Sequence, residues 1–190
     1  MVVEIKNLSK SYDGTPVLDN LNLILDSAQP ICIMAPSGRG KTTLFNILLG
    51  LLKTDAGEIL GLENKKFSAV FQEDRLCEQL SAIMNLAIVM NNPNKAELTE
   101  KLEKMGLAED EIHRPVSQLS GGQKRRVAIL RALVSDSDAV LMDEPFKGLD
   151  EDTRKTVIQQ VKENLDGRLL MVITHNEEDA AALGATVINL

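Results

Sequence analysis

Tryptophan is absent from the 190 residues, tyrosine occurs once and phenylalanine four times. Sequence-tolerant binding of single-stranded nucleic acid depends on aromatic stacking platforms, so this scarcity argues against it. The formal net charge of −7 argues equally against a diffuse phosphate-gripping surface. Cysteine is limited to Cys32 and Cys77. With no CxxC or Cys/His spacing, neither a zinc site nor a disulfide framework is written here. Cys32 lies in the apolar run ICIM and reads as a small buried hydrophobe. No apolar stretch reaches the roughly 18 residues of a membrane span. LFNILLGLL and IMNLAIVM are too short and carry polar residues. The opening MVVEIKNLSKSYDG has no basic-then-apolar signal pattern. The expectation is a cytoplasmic chain, with a membrane partner still open to it.

Hydrophobic residues make up 44% and charged residues 26%, an ordinary globular composition. The length suits one domain carrying an inserted lobe. VVEIKNLSKSY alternates apolar and polar and reads as an edge-type strand. VLDNLNLIL alternates again after the turn DGTP. PICIMA is a continuous apolar run of the kind a buried parallel strand shows, and KTTLFNILLGLL follows with helical spacing. AGEIL and FSAVFQ read as two further strands. From Glu73 to about Asp138 the apolar residues recur at helical periods, interrupted at Asn91-Asn92-Pro93-Asn94. AVLMDEP is then a buried strand, and a helix capped by Asp150 or Asp152 follows. RLLMVITH is a third buried strand, and a short helix and a last strand, ATVINL, close the chain. The layout is an α/β core with an inserted helical lobe. Its expected parts are 1–72 with 139–190 for the core and 73–138 for the lobe.

Three constellations carry chemistry. The first is APSGRGKTT: Ala35, Pro36, Ser37, Gly38, Arg39, Gly40, Lys41, Thr42 and Thr43. It lies between a strand and a helix, as a phosphate-binding loop must. Gly38 and Gly40 let backbone N–H groups turn inward. Together with the helix N-terminus they form an anion cradle. Lys41 supplies charge for the β- and γ-phosphates, and the Thr42 hydroxyl suits Mg²⁺. Ala35 stands where the pattern has glycine. A negative φ there adds little strain, whereas a positive one costs on the order of 1 kcal/mol. The second constellation is Asp143-Glu144 at the C-terminal edge of a buried strand, the edge where open α/β sheets bind ligands. Asp143 suits Mg²⁺, and Glu144 suits an attacking water as general base. The third is LSGGQ before a long helix. Ser120 caps that helix and can donate to phosphate, while Gly121 and Gly122 permit close backbone approach.

LSGGQ is the signature sequence of ABC-type ATPases, and the chain resembles the ATP-binding subunit of an ABC transporter over essentially its whole length. The resemblance implies a P-loop NTPase (RecA-like) core with an N-terminal antiparallel β-subdomain and an inserted α-helical subdomain. It implies ATP and Mg²⁺ as ligands. Tyr12 matches the aromatic that stacks on adenine. Gln72, in VFQEDRL, matches the Q-loop glutamine that touches Mg²⁺ or the attacking water. Asp150, in KGLD, matches the D-loop, and His175 the switch histidine near the γ-phosphate. Ser120, Gly121, Gly122 and Gln123 would close over ATP held by a second chain. The implied partners are therefore a like ATPase chain, as homodimer or heterodimer, an integral membrane permease and, for an importer, a substrate-binding protein. No nucleic-acid partner is expected.

That ATPase would sit on the inner face of the membrane. VFQEDRL is similar to importers of the nitrate, sulfonate and taurine type, so import is favoured. Lipoprotein-release, cell-division and soluble assembly ATPases are the alternatives. Departures from the family are Ala35, Lys147 in place of the frequent Ser or Thr, and a shortened stretch between Gly57 and Gln72. Ending at VINL, the chain resembles a minimal motor without a C-terminal extension. His113 matches no motif and is expected in a solvated loop. Arg125 and Arg126 are expected on a solvated helix face.

Overall fold

The computed structural model describes residues 1–36 and 38–190, so Ser37 of the phosphate loop lies outside the described residues. Two compact units are present, one of residues 1–67, 137–143 and 167–190, the other of residues 68–136 and 144–166. This division differs from the expected one. The last helix of the second unit, α6 (Glu151–Glu163), packs on α5 (Gly121–Val134) and buries Val157, Ile158 and Val161, which joins it to the helical residues.

In the first unit β1 (Val2–Tyr12) pairs antiparallel with β2 (Thr15–Asp26) on one side and β4 (Ala56–Leu60) on the other. β1 is thus the central strand of its sheet, not an edge. Period-two alternation reports that one face is buried and is silent on how many neighbours a strand has. The β1–β2 link is two residues, Asp13 and Gly14, both at positive φ (50° and 77°), the geometry of a tight hairpin that suits the strand twist.

The second sheet runs β5-β6-β7-β3-β8. Here β3 is Ile31–Met34, β5 Phe67–Val70, β6 Ala139–Asp143, β7 Leu169–Ile173 and β8 Thr186–Asn189. Every residue of β3, β6 and β7 is buried, which is why those segments read as unbroken apolar runs. The parallel register aligns Ile33 with Ile173 and Ile173 with Asp143. The three strands therefore finish at one level. A short loop leads from β3 to α1 (Lys41–Leu48), whose N-cap is Gly40 at φ 84°. α7 (Glu177–Leu183) follows β7 and ends on Gly184 at φ 66°.

The second unit contains α2 (Ala82–Ala87), α3 (Lys95–Lys104), α4 (Glu109–His113), α5 and α6. Side chains cap four of the five: Ser81, Asn94, Ser120 and Asp150 each accept from a backbone N–H of the first turn, satisfying donors the helix cannot. His113 is exposed but ends α4 rather than lying in a loop. The apolar core draws on Leu98, Leu102, Met105, Ile112, Val127 and Leu130. Ser68, Asn85 and Gln160 are its buried polar side chains. Asn85 is fully buried. Its Oδ1 accepts from the Cys77 N–H at 2.8 Å, and its Nδ2 faces the carbonyls of Cys77, Leu80 and Ser81 at 3.1–3.3 Å. That amide adds to the main-chain bonds by which Val116 and Ser117 hold the carbonyls of Leu80 and Glu78.

Two expectations for stability follow from these contacts. Asn85→Ala strands the Cys77 N–H and leaves a cavity, and is expected to cost about 2–4 kcal/mol in chemical denaturation. A Cβ at Gly40 would stand 2.6 Å from Leu18 Cδ2 and 2.8 Å from the Val17 carbonyl oxygen, whereas one at Gly38 meets nothing within 4 Å. Both glycines have positive φ. Gly38→Ala should therefore cost only the backbone term, about 1 kcal/mol, and Gly40→Ala visibly more in thermal unfolding. Equal melting temperatures for the two variants would contradict the contact.

Candidate functional site

The candidate residues fall into two groups, one in each unit. In the first unit the shared level of β3, β6 and β7 delivers three of them. Asp143 is the last residue of β6 and is buried. Ala35 and His175 each lie two positions beyond the aligned pair Ile33 and Ile173. The φ of Ala35 lies outside the left-handed region, so its methyl group adds no backbone strain where the family pattern has glycine. The Lys41 ammonium donates to the Ala35 and Pro36 carbonyl oxygens at 2.5 and 3.0 Å, and the Arg39 N–H reaches the Pro36 oxygen at 3.4 Å. The lysine is thus held across the mouth of its own loop, at the N-terminus of α1, where the helix dipole favours an anion.

Thr42 Oγ1 donates to Asp143 Oδ2 at 3.3 Å, joining the first turn of α1 to the end of β6. A hydroxyl and a carboxylate are hard oxygen donors, and one buried negative charge among them suits Mg²⁺. Thr43 is half-buried in the same turn. His175 is exposed and is framed on both sides. Buried Thr174 donates its hydroxyl to Asp179 Oδ2 at 3.0 Å and accepts from the Asn176 N–H at 3.1 Å. Asn176 in turn caps α7. Tyr12 is exposed beside the β1–β2 hairpin with the Lys10 ammonium 5.8 Å from its ring centre, and the ring is open to stacking.

In the second unit Glu144 has φ 48°, the left-handed region that a side-chained residue enters at a cost of about 1–2 kcal/mol. Strain of that kind concentrates at functional positions. No sequence pattern announces it, since the next residue is proline and proline restrains its predecessor elsewhere. Ser120 and Gln123 form a reciprocal cap. The Ser120 N–H donates to Gln123 Oε1 at 2.7 Å and the Gln123 N–H donates to Ser120 Oγ at 3.3 Å. Gln123 Nε2 also donates to the Glu111 carboxylate. The glutamine thus braces the turn, and Gly121 stands with nothing within 4 Å of where a Cβ would be. Asp150 caps α6, accepting from the Thr153 N–H at 2.9 Å and hydroxyl at 2.7 Å, contacts that hold its carboxyl below the usual range. Gln72 is exposed.

The arginines of α5 do not form a solvated face. Arg125 donates to the Phe71 carbonyl at 2.7 Å and to the Gln72 carbonyl. Arg126 donates to the carbonyls of Met105 and Gly106 at 2.9 and 2.6 Å. Arg131, which carried no expectation from the sequence, donates to the carbonyls of Asp74 and Arg75 at 3.4 and 3.0 Å. Arg125 Nε also stands 3.1 Å from Asp74 Oδ1. That oxygen has no aligned hydrogen bond, so the contact is an ion pair by distance alone. Burial pushes the Asp74 carboxyl up, against the opposing pull of Arg125, Lys124 and Arg131. The sequence-level signal for this was the i, i+1 and i, i+6 placement of arginines around the apolar run 127–130.

Among known proteins, the ABC transporter family matches residues 18–147. The chain is 35% identical over 210 aligned positions to the sulfate/thiosulfate import ATP-binding protein CysA of Escherichia coli, covering 99% of this chain and 57% of the relative. It is 34% identical over 206 positions to the spermidine/putrescine import ATP-binding protein PotA of Desulfitobacterium hafniense, covering 98% and 58%. It therefore spans a little over half the length of these curated relatives. Among solved structures it superposes on the ATP-binding cassette MJ0796, seen as a dimer in a post-hydrolysis state bound to ADP and Pi, with a TM-score of 0.85 and 30% identity over 99% of this chain and 94% of that one. The phosphate loop on the strand β3, the Thr42–Asp143 pair and the Ser120 cap are thus found on a chain that belongs to the ABC transporter family.

Proposed function

We propose that the chain binds and hydrolyses ATP as the motor subunit of a membrane importer. The observation that carries the reading is the 3.3 Å Thr42–Asp143 contact beside the lysine-spanned loop, a hydroxyl and a carboxylate whose chemistry suits a nucleotide's metal. Mg²⁺ held there, with Gln72 as a further oxygen donor, would neutralise charge on the β- and γ-phosphates. Lys41 exchanges the Ala35 and Pro36 carbonyls for phosphate oxygens, and the loop N–H groups of residues 38–42 bind the remainder. Tyr12 stacks on the base. Glu144 orients the attacking water in line with the γ-phosphate and takes its proton, and His175 stabilises the charge that develops.

The Ser120–Gly121–Gly122 turn and Asp150 serve a second copy of the chain. An exposed serine and an open glycine at the N-terminus of a 14-residue helix form an anion-binding end that completes a neighbour's nucleotide site. ATP closes the pair and hydrolysis removes the bridging γ-phosphate, so the dimer cycles between closed and open populations. The dimeric ADP-bound relative supports that geometry, and the two import ATP-binding relatives support an importer with a permease and a substrate-binding protein as partners. The helical second unit is the part that would face the permease. None of the described helices is long and apolar enough to cross a membrane.

Glu144→Gln keeps the shape of the side chain but removes the base. It is expected to slow turnover about 100-fold or more and to accumulate an ATP-bound dimer in light scattering; undiminished phosphate release would contradict the role. Ser120→Ala is expected to lower the ATPase rate about tenfold or more while leaving ATP affinity of the dilute monomer within about twofold. Equal loss of both would place the serine in its own chain's site.

A further inference from the structure

Residues Phe71–Arg75 belong to no strand or helix, so their carbonyl groups need donors from elsewhere. Side chains of one helix provide them. Arg125 reaches the carbonyls of Phe71 and Gln72, and Arg131 those of Asp74 and Arg75. Four of the five carbonyls in the segment thus accept from two guanidinium groups of α5. The Arg125 side chain is only 11% exposed and Asp74 22%, so water competes poorly for these contacts. The Arg75 guanidinium lies 3.6 Å from the Phe71 ring centre, folding the segment back on itself. The helix that makes these contacts begins at the Ser120 cap.

We propose that Arg125 is a positioning residue for the ATPase reaction: its planar fork fixes the peptide of Gln72 to α5, so that Gln72 and the Ser120 turn move as one body. The inference rests on the functional reading above. Two bonds from one guanidinium to successive carbonyls define both position and orientation of the Gln72 backbone. A lysine ammonium, a single point charge on a flexible stem, cannot reproduce that fork. Closure of a partner over the Ser120 turn would then carry Gln72 with it, linking arrival of the second chain to the placement of the metal- and water-facing amide. Arg131 extends the same anchorage toward Cys77.

The test uses the whole chain with Arg125→Lys and Arg125→Met. Hydrogen exchange of peptides covering residues 71–76, measured without nucleotide, is expected to accelerate about tenfold in both variants, with exchange in β3 and β7 unchanged. The kcat for ATP is expected to fall about tenfold while KM for ATP stays within about twofold. Wild-type exchange and kcat in Arg125→Lys would overturn the proposal, because charge alone would then suffice. So would exchange that accelerates throughout the second unit, which would make Arg125 a general packing residue. If Glu144→Gln turned over normally, the ATPase reading would fail while the exchange measurement still judged the anchorage of Gln72.

Discussion

Parallel hydrogen bonding among three short buried strands governs where the reactive groups of the first unit stand. β3, β6 and β7 offer no exposed residue to water, so their order is enforced by burial and their register by the ladder. With Ile33, Ile173 and Asp143 at one level, the Gly-rich loop, the Asp143 carboxylate and His175 leave the sheet within two residues of each other. A slip of one residue would turn Asp143 to the opposite face and break its contact with Thr42. The sheet therefore does more than support a loop: it sets the distance between the first turn of α1 and the Asp143 carboxylate.

The second unit solves a different problem. Its functional residues lie on turns and helix ends, where no ladder exists to fix them. Side chains tie the backbone down: Asn85 braces Cys77, Leu80 and Ser81, Arg125 and Arg131 hold 71–75, Arg126 the turn at 105–106, and Gln123 with Ser120 the head of α5. Asn85 and the arginines aim several donors at main-chain oxygens, whereas Ser120 and Gln123 accept from main-chain N–H groups. Such networks are unforgiving, since a half-satisfied one costs more than an apolar replacement. They account for a helix, α5, that carries three arginines on a stretch otherwise packed with Val, Ala, Ile and Leu.

Much of this was legible before any coordinates. The unbroken runs ICIM, AVLMD and LLMVI read as buried parallel strands and are so, and Gly38 and Gly40 marked where the backbone turns at positive φ. The phosphate loop, the Asp143-Glu144 pair and the Ser120 turn were picked out by residue type and setting, whereas Tyr12, Gln72, Asp150 and His175 were picked out by the family resemblance. What could not be read was relational. Alternation in β1 did not reveal β4 on its far side, because AGEIL is short and weakly patterned. The helix from Glu151 looked like part of the core because it lies between two core strands in sequence, yet its apolar face belongs to α5. Arg125 and Arg126 looked solvated because helical periodicity names a face but not the carbonyls opposite it. The left-handed backbone at Glu144 had no residue-type signal, since glutamate is an unusual occupant of that region.

The two cysteines differ in a way that reaches beyond folding. Cys32 sits at the centre of β3 with no exposed surface, and burial together with the charge of Asp179 pushes its thiol up to about 12, so almost none of it is thiolate at neutral pH. Cys77 is exposed and lies two residues past the segment that Arg131 holds. These 190 residues thus offer one accessible thiol, Cys77. A fluorophore or spin label attached under mild conditions would go to one place, five residues from Gln72, without any engineered substitution, and would report on that segment in the unaltered chain.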